Sequence, residues 1–322
     1  MNPIQDLLKQ FNYALGLLEL PDGPKELYDP IKYTLDNGGK RMRPLLVLLG
    51  CKVFSEDVSQ ALRPAIGIEL FHNFTLLHDD IMDEAPLRRG NPSVYKKWNS
   101  NIAILSGDAM IIKAYQLLVE TRTGALSDVL IEFNRTALEV CEGQQLDMNF
   151  ESRDDVSLEE YLQMIGLKTA VLLATSLKIG ALIGGANAEQ ANLLYNFGLN
   201  TGIAFQLQDD ILDVYGESAK VGKQKGGDII SNKKTFLLLK ALELADKEKS
   251  LELNQWLTSN APTQKVAAVT AIYNQLGVRQ LAEEKMWDYY NSGIASLEKV
   301  KGSAAWVTTL KQFSNDLMHR EH

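Results

Sequence analysis

Apolar residues recur at three- and four-residue steps along most of this chain. Over 126–141, Leu126, Val129, Leu130, Phe133, Ala137, Val140 and Cys141 share one helical face, with Ser127 or Asp128 available as a cap. The stretches 61–84, 101–121, 158–184, 188–215, 233–247 and 264–299 carry the same period. Breakers separate them at 21–24, 37–39, 88–92, 183–187, 216–233 and 260–262, all rich in Gly, Pro, Asn or Lys. There is no strand–helix alternation and no repeated hairpin signal. The spacing therefore predicts an all-α chain of roughly ten or more helices. No low-complexity linker interrupts it, which predicts one domain over 1–322.

Composition changes this picture little. A net charge of −8 speaks against nucleic acid as the main partner, because phosphate backbones are held by broadly basic surfaces. Cys51 and Cys141 are lone cysteines that form no disulfide framework, as expected of a cytoplasmic protein. The opening MNPIQDLLKQ has no basic segment followed by an apolar run, so no secretory signal is expected. The most apolar stretches are 44–50, which is short, and 170–185, which carries Lys178; no transmembrane segment is expected.

Two acidic clusters carry the chemistry. LLHDDIMDE holds Asp79, Asp80 and Asp83, and FQLQDDILDV holds Asp209, Asp210 and Asp213. Both read Asp-Asp-x-x-Asp, both end an apolar helical run, and they lie about 130 residues apart. On a helix, positions i and i+4 share a face, so Asp79 lies beside Asp83 and Asp209 beside Asp213. Such like-charged pairs repel by ~0.2–0.5 kcal/mol on an isolated helix, and by about 4 kcal/mol at 4 Å where the effective dielectric is near 20. A cation is needed to compensate. Oxygen donors without His or Cys point to Mg²⁺, which combines a few carboxylates with substrate phosphates and water.

Basic segments flank both clusters. NGGKRMRP places Lys40, Arg41 and Arg43 after two glycines and before an apolar helix, where Arg forks suit phosphate oxygens. APLRRGNP brings Arg88 and Arg89 five residues after the first cluster. VGKQKGGDIISNKKT carries Lys223, Lys225, Lys233 and Lys234 after the second, and reads as a lid able to exclude water from a phosphate site.

Taken in order, GGKRMRP, ELFHNFTLLHDDIMDEAPLRRG, GQQLD, LKTA, FQLQDDILD and GKQKGGDIISNKKT resemble the trans-isoprenyl diphosphate synthases, or polyprenyl synthetase family. The resemblance covers about residues 37–240. It implies a single-domain, isoprenoid synthase-like helical bundle with a central cavity between two Asp-rich helices. The implied reaction joins isopentenyl diphosphate to an allylic diphosphate (dimethylallyl, geranyl or farnesyl), giving a short all-trans prenyl diphosphate. The resemblance assigns Asp79, Asp83 and Asp209 to about three Mg²⁺ ions on the allylic diphosphate, supported by Asp80, Asp210 and Asp213. Lys40, Arg43, His72 and Arg89 match positions for isopentenyl diphosphate, and Arg88, Lys168, Lys223 and Lys233 positions for the allylic diphosphate. Thr169 and Gln206 match positions whose oxygens face the carbocation, with the Lys168 carbonyl between them. Gln144 and Asp147 match a helper pair near the metals, and Phe205 an aromatic of the pocket. A homodimer is also implied.

Product length is read from the helix before Asp79. Phe74 lies five residues upstream, about 7.5 Å along the axis. One aromatic there, with Thr75 beside it, resembles family members making C20 geranylgeranyl diphosphate, with C15 farnesyl diphosphate the alternative. Helical geometry itself favours Thr75 for the Asp79 face, so the role of Phe74 rests on the resemblance. A terpene cyclase would carry a different second motif, and a silent subunit commonly loses one acidic cluster; this chain keeps both.

Overall fold

The computed structural model describes residues 3–121, 124–216 and 226–319. Their contacts group into two compact units: Met1–Phe133 with Ser176–Asn192, and Asn134–Thr175 with Leu193–His322. The expected all-α class holds. Among the described residues the sheet structure is one short hairpin, Leu87–Arg88 against Asn91–Pro92.

The first unit contains α1 (Pro3–Gly16), α2 (Lys25–Asp36), α3 (Met42–Phe54), α4 (Ser59–Met82), α5 (Val94–Lys97) and α6 (Ser100–Leu118). To these it adds the start of α7 (Leu126–Glu151), the end of α9 (Val171–Ile183) and the start of α10 (Ala188–Tyr215). From Pro44 to Cys51 every residue of α3 is buried, so the helix is apolar all round rather than amphipathic. Its backbone nearly touches that of α9. A Cβ on Gly50 would overlap Leu177 O, one on Gly180 would overlap Val47 O, and one on Gly184 would stand 2.7 Å from Cys51 O. Lys178, within this apolar run, meets Glu132 at 2.7 Å.

The second unit holds the rest of α7, α8 (Leu158–Ile165), a π-helical turn (Gly166–Ala170), the start of α9 and most of α10. It continues through α11 (Gly227–Ile230), α12 (Phe236–Leu244), α13 (Lys247–Leu257), α14 (Pro262–Gln275), α15 (Val278–Leu297) and α16 (Ala304–Met318). A capping box starts α8: Ser157 accepts from Glu160 N–H while the Glu160 carboxylate accepts from Ser157 N–H. Leu207 and Ile211 of α10 pack in one core with Tyr161, Leu237, Ile272, Tyr273 and Met286.

Four expected segments change. The run 264–299 is two helices, parted at Gly277, whose φ of +66° ends α14 and opens α15. The run 233–247 starts later, at Phe236, and 216–233 contains the short α11. The breaker at 88–92 becomes a hairpin because Arg89 (φ +54°) and Gly90 (φ +79°) form a tight turn with two left-handed residues. One continuous helical run, Leu158–Ile183, is long and apolar enough to cross a membrane by length and composition, although Lys178 argued otherwise. Burial within the protein of 78 % of its most apolar window accounts for that composition.

The α3–α9 contact is backbone on backbone, so Gly180→Ala cannot be absorbed by a side-chain rotation. It is expected to destabilise by at least about 1–3 kcal/mol, read as a lower thermal midpoint. Gly16→Ala, with nothing within 4 Å, is the control and should leave the midpoint nearly unchanged.

Candidate active site

Both aspartate motifs sit at the carboxyl ends of long helices, where the helix dipole disfavours negative charge by ~0.3–1 kcal/mol. Neither helix has a basic residue in its last turn. In each motif the second aspartate turns inward. Asp80 is 3 % exposed and Asp210 5 %, while Asp79, Asp209 and Asp213 are half-buried and Asp83 is exposed.

In the first unit Arg88 compensates the motif. Its Nε donates to Asp80 Oδ1 at 2.8 Å, and its Nη2 to Asp80 Oδ1 at 2.5 Å and Asp79 Oδ2 at 3.3 Å. Burial pushes the Asp80 carboxyl up and Arg88 pulls it back. The hairpin turn thus aims Arg88 at the carboxylates and Arg89 at the loop before α3. There Arg89 Nη1 donates to Gly38 O, and its guanidinium fills the space where a Gly39 Cβ would stand, 2.7 Å from Cζ.

The same loop presents Lys40 to solvent and turns through Gly38 (φ +71°), Gly39 (φ +132°) and Arg41 (φ +48°). A neighbouring buried network fixes it. Arg41 Nη1 meets Glu69 Oε1 at 2.5 Å, Arg41 Nη2 donates to Leu35 O at 2.5 Å, and Asn73 Nδ2 donates to Glu69 Oε1 at 3.0 Å. Two residues on, Arg43 Nη1 lies 3.1 Å from His72 Nε2. Burial, then the positive charges of Arg43, Arg89, Arg88 and Arg41, push the His72 pKa well down. His72 is therefore neutral, with Nε2 as the acceptor from Arg43. Burial also lowers Arg43 to about 10, which leaves it charged at neutral pH. Phe74 and Thr75 come next on α4, both half-buried; Thr75 Oγ1 donates to His72 O at 2.8 Å.

In the second unit Asp210 accepts from Tyr161 Oη and from Gln206 Nε2, the latter at 3.2 Å. Burial, then the charge of Asp228, pushes Asp210 up to about 8 against the opposing effect of these two bonds. Asp213 holds α11: its Oδ2 accepts from Asp228 N–H at 3.1 Å and its carbonyl from Gly226 N–H at 2.9 Å. Lys233 is exposed, and its N–H donates to Asp228 O at 2.9 Å. Lys223 lies outside the described residues.

The π-turn presents Lys168 and Thr169, both half-buried. Lys168 Nζ meets Asp147 Oδ2 of α7 at 2.5 Å. Gly143 permits this approach, since a Cβ there would overlap Lys168 N and stand 2.7 Å from the Leu167 carbonyl carbon. Gln144 is beside it on α7, and Phe205 is half-buried on α10.

The other carboxylates of the two motifs are hard oxygen donors, which fits a divalent cation of the Mg²⁺ or Ca²⁺ kind. Among the described residues no group of three or more His, Cys, Asp or Glu side chains gathers into a cage. A cation held here needs further oxygen ligands, the usual mode of Mg²⁺ with phosphate and water.

Sequence reasoning passed over several of these residues. Arg41 was visible as part of a basic loop, but its partner Glu69 was not. Tyr161 lies 49 positions from Asp210 with no local signal of their contact. Gly143 gave no hint that α7 approaches the π-turn.

Comparison with known proteins identifies the family. The polyprenyl synthetase family model matches residues 24–276. The geranylgeranyl diphosphate synthase of Methanosarcina mazei is 36 % identical over 301 residues, covering 93 % of this chain and 91 % of its own. The geranylfarnesyl diphosphate synthase of Natronomonas pharaonis is 36 % identical, covering 85 % and 84 %. A crystal structure of a geranylgeranyl pyrophosphate synthase superposes with a TM-score of 0.95 at 42 % identity over all of both chains. A polyprenyl synthase from Caulobacter crescentus CB15, solved with calcium and isoprenyl diphosphate, has a TM-score of 0.87 at 25 % identity, covering 99 % and 96 %. The family model and these relatives define the class as a trans-prenyltransferase. The chain belongs to the polyprenyl synthetase family.

The Arg41–Glu69 pair is buried on both sides, at 9 % and 2 % side-chain exposure. Arg41→Met leaves the buried Glu69 carboxylate without its cation and is expected to cost about 3–5 kcal/mol in urea unfolding. Adding Glu69→Leu should recover part of the loss.

Proposed function

We propose that this chain condenses isopentenyl diphosphate with an allylic diphosphate in a Mg²⁺-dependent reaction, ending at C20 geranylgeranyl diphosphate. The observation that carries the reading is the shared build of the two motifs: a buried second aspartate held by protein donors, beside aspartates that are half-buried or exposed. Asp79, Asp83 and Asp209 hold about three Mg²⁺ ions, and Asp80, Asp210 and Asp213 keep them aimed. Bound there, Mg²⁺ supplies Lewis-acid neutralisation of the leaving diphosphate.

Arg88, Lys168, Lys223 and Lys233 bind the allylic diphosphate and stabilise charge as its C–O bond breaks. Arg88 and Lys168 are paired with Asp79, Asp80 and Asp147. A diphosphate carrying its cation offers both members of each pair an opposite charge, so the pairs can exchange at small electrostatic cost. Lys40, Arg43, His72 and Arg89 bind isopentenyl diphosphate. Neutral His72 orients Arg43, whose fork suits phosphate oxygens. Thr169 and Gln206 turn oxygen dipoles to the allylic cation, Gln144 and Asp147 steady the metal side, and Phe205 keeps water from it. The double bond of isopentenyl diphosphate attacks the cation, forming the new C–C bond, and the departing diphosphate takes the proton released. Phe74, with Thr75 beside it, floors the pocket. The relatives named as geranylgeranyl diphosphate synthases support this length.

The two units work as one domain, a reading supported by the continuity of α7, α9 and α10 through the unit boundaries. Two free cysteines support a cytoplasmic setting. A homodimer is supported by an exposed apolar row at seven-residue spacing: Leu105 (59 %), Ile112 (59 %) and Val119 (50 %). Its natural occupant is the same row of a second copy, so sedimentation should give a dimer.

Product analysis with labelled isopentenyl diphosphate and C5, C10 and C15 starters tests the function. A C20 end product from each, abolished by chelator, is expected. A C15 end point would overturn the length assignment, and no condensation would overturn the function. Asp79→Ala should lower turnover by at least about 10²–10³-fold; near-normal turnover would remove Asp79 from the metal site.

A further inference from the structure

We propose that His78, seated in a notch that Gly107 leaves in α6, positions the Phe74 ring and so tunes product length. This rests on the reading of Phe74 as the floor of the product pocket. Phe74 and His78 are four residues apart on α4 and meet edge to face, with ring centroids 4.7 Å apart and planes at 66°. On its other side Phe74 contacts Phe71 at 5.7 Å. Phe71 cannot yield: it is fully buried and meets Phe133 edge to face at 5.1 Å, which in turn meets Tyr115 at 5.0 Å. Phe74 therefore rests between a fixed aromatic stack and the His78 imidazole.

The imidazole is itself fixed from α6. Its Nε2 lies 3.2 Å from Ile104 O, an acceptor, so that nitrogen carries the proton and donates. A Cβ at Gly107 would overlap Nε2 and stand 2.8 Å from Cδ2. The ring thus occupies the volume a side chain at 107 would need. Any side chain there displaces the imidazole, and the aromatic ring it touches is Phe74. Neither Gly107 nor His78 has a role in binding or chemistry, so their effect on the reaction passes through Phe74.

The test is the product ratio of purified variants, with thermal midpoint and total condensation rate recorded alongside. Gly107→Ala crowds the imidazole onto Phe74 and should raise the C15-to-C20 ratio several-fold. His78→Ala removes the backing of the ring and should shift products beyond C20. The double variant should behave like His78→Ala, because the added methyl then has no imidazole to push. A merely structural role would lower the midpoint or the rate and leave the ratio alone. If Phe74→Ala lengthens products while His78→Ala and Gly107→Ala keep the parental ratio, the positioning role is overturned and the floor stands. If Phe74→Ala changes nothing, the floor reading falls and this inference with it. Should Gly107→Ala not fold, His78→Ala alone decides.

Discussion

Asp80 and Asp210 are carboxyl groups taken out of water at the end of a helix, where both burial and the helix dipole oppose negative charge. The protein meets that cost differently in the two motifs. For Asp80 it supplies a cation, Arg88, from a hairpin turn held open by two left-handed residues. For Asp210 it supplies neutral donors, Tyr161 and Gln206, and burial carries the carboxyl up to about 8. In each case the second carboxyl is the buried one, and its neighbours one before and three after are half-buried or exposed.

Close backbone contacts give those helix ends a firm base. In the first unit, Gly50, Gly180 and Gly184 bring α3 and α9 together. In the second, Gly143 admits the backbone of the π-turn, and this carries Lys168 to Asp147. A π-turn inserts a residue into the helix and re-aims the side chains beyond it, a device common at functional sites. The basic loop before α3 obeys the same logic, with Gly39 giving way to Arg89 and Arg41 tied to Glu69.

Much of this was legible in the sequence because the information is local. The apolar period located α4 and α10, and the repeated Asp-Asp-x-x-Asp at their ends marked the candidate site. The inward turn of the second aspartate was not legible, since it depends on Arg88 and Tyr161 rather than on the motif. The division of 264–299 hangs on the left-handed Gly277, and an isolated glycine in a helical pattern is often tolerated in place. Arg88 was assigned to a phosphate by resemblance, whereas its carboxylate partners come from the geometry of a two-residue turn. The apolar run ending at Ile183 shows the converse: a composition that would suit a membrane belongs here to a helix mostly buried in protein.

The proposed reaction requires Asp79 and Asp209 each for Mg²⁺-dependent binding of the allylic diphosphate. Calorimetric titration of an unreactive allylic diphosphate analogue tests it directly, with and without Mg²⁺, on the parent, Asp79→Ala and Asp209→Ala. Binding is expected to require Mg²⁺ in the parent and to be lost in either variant alone. Mg²⁺-independent binding, or parental affinity in either variant, would contradict it.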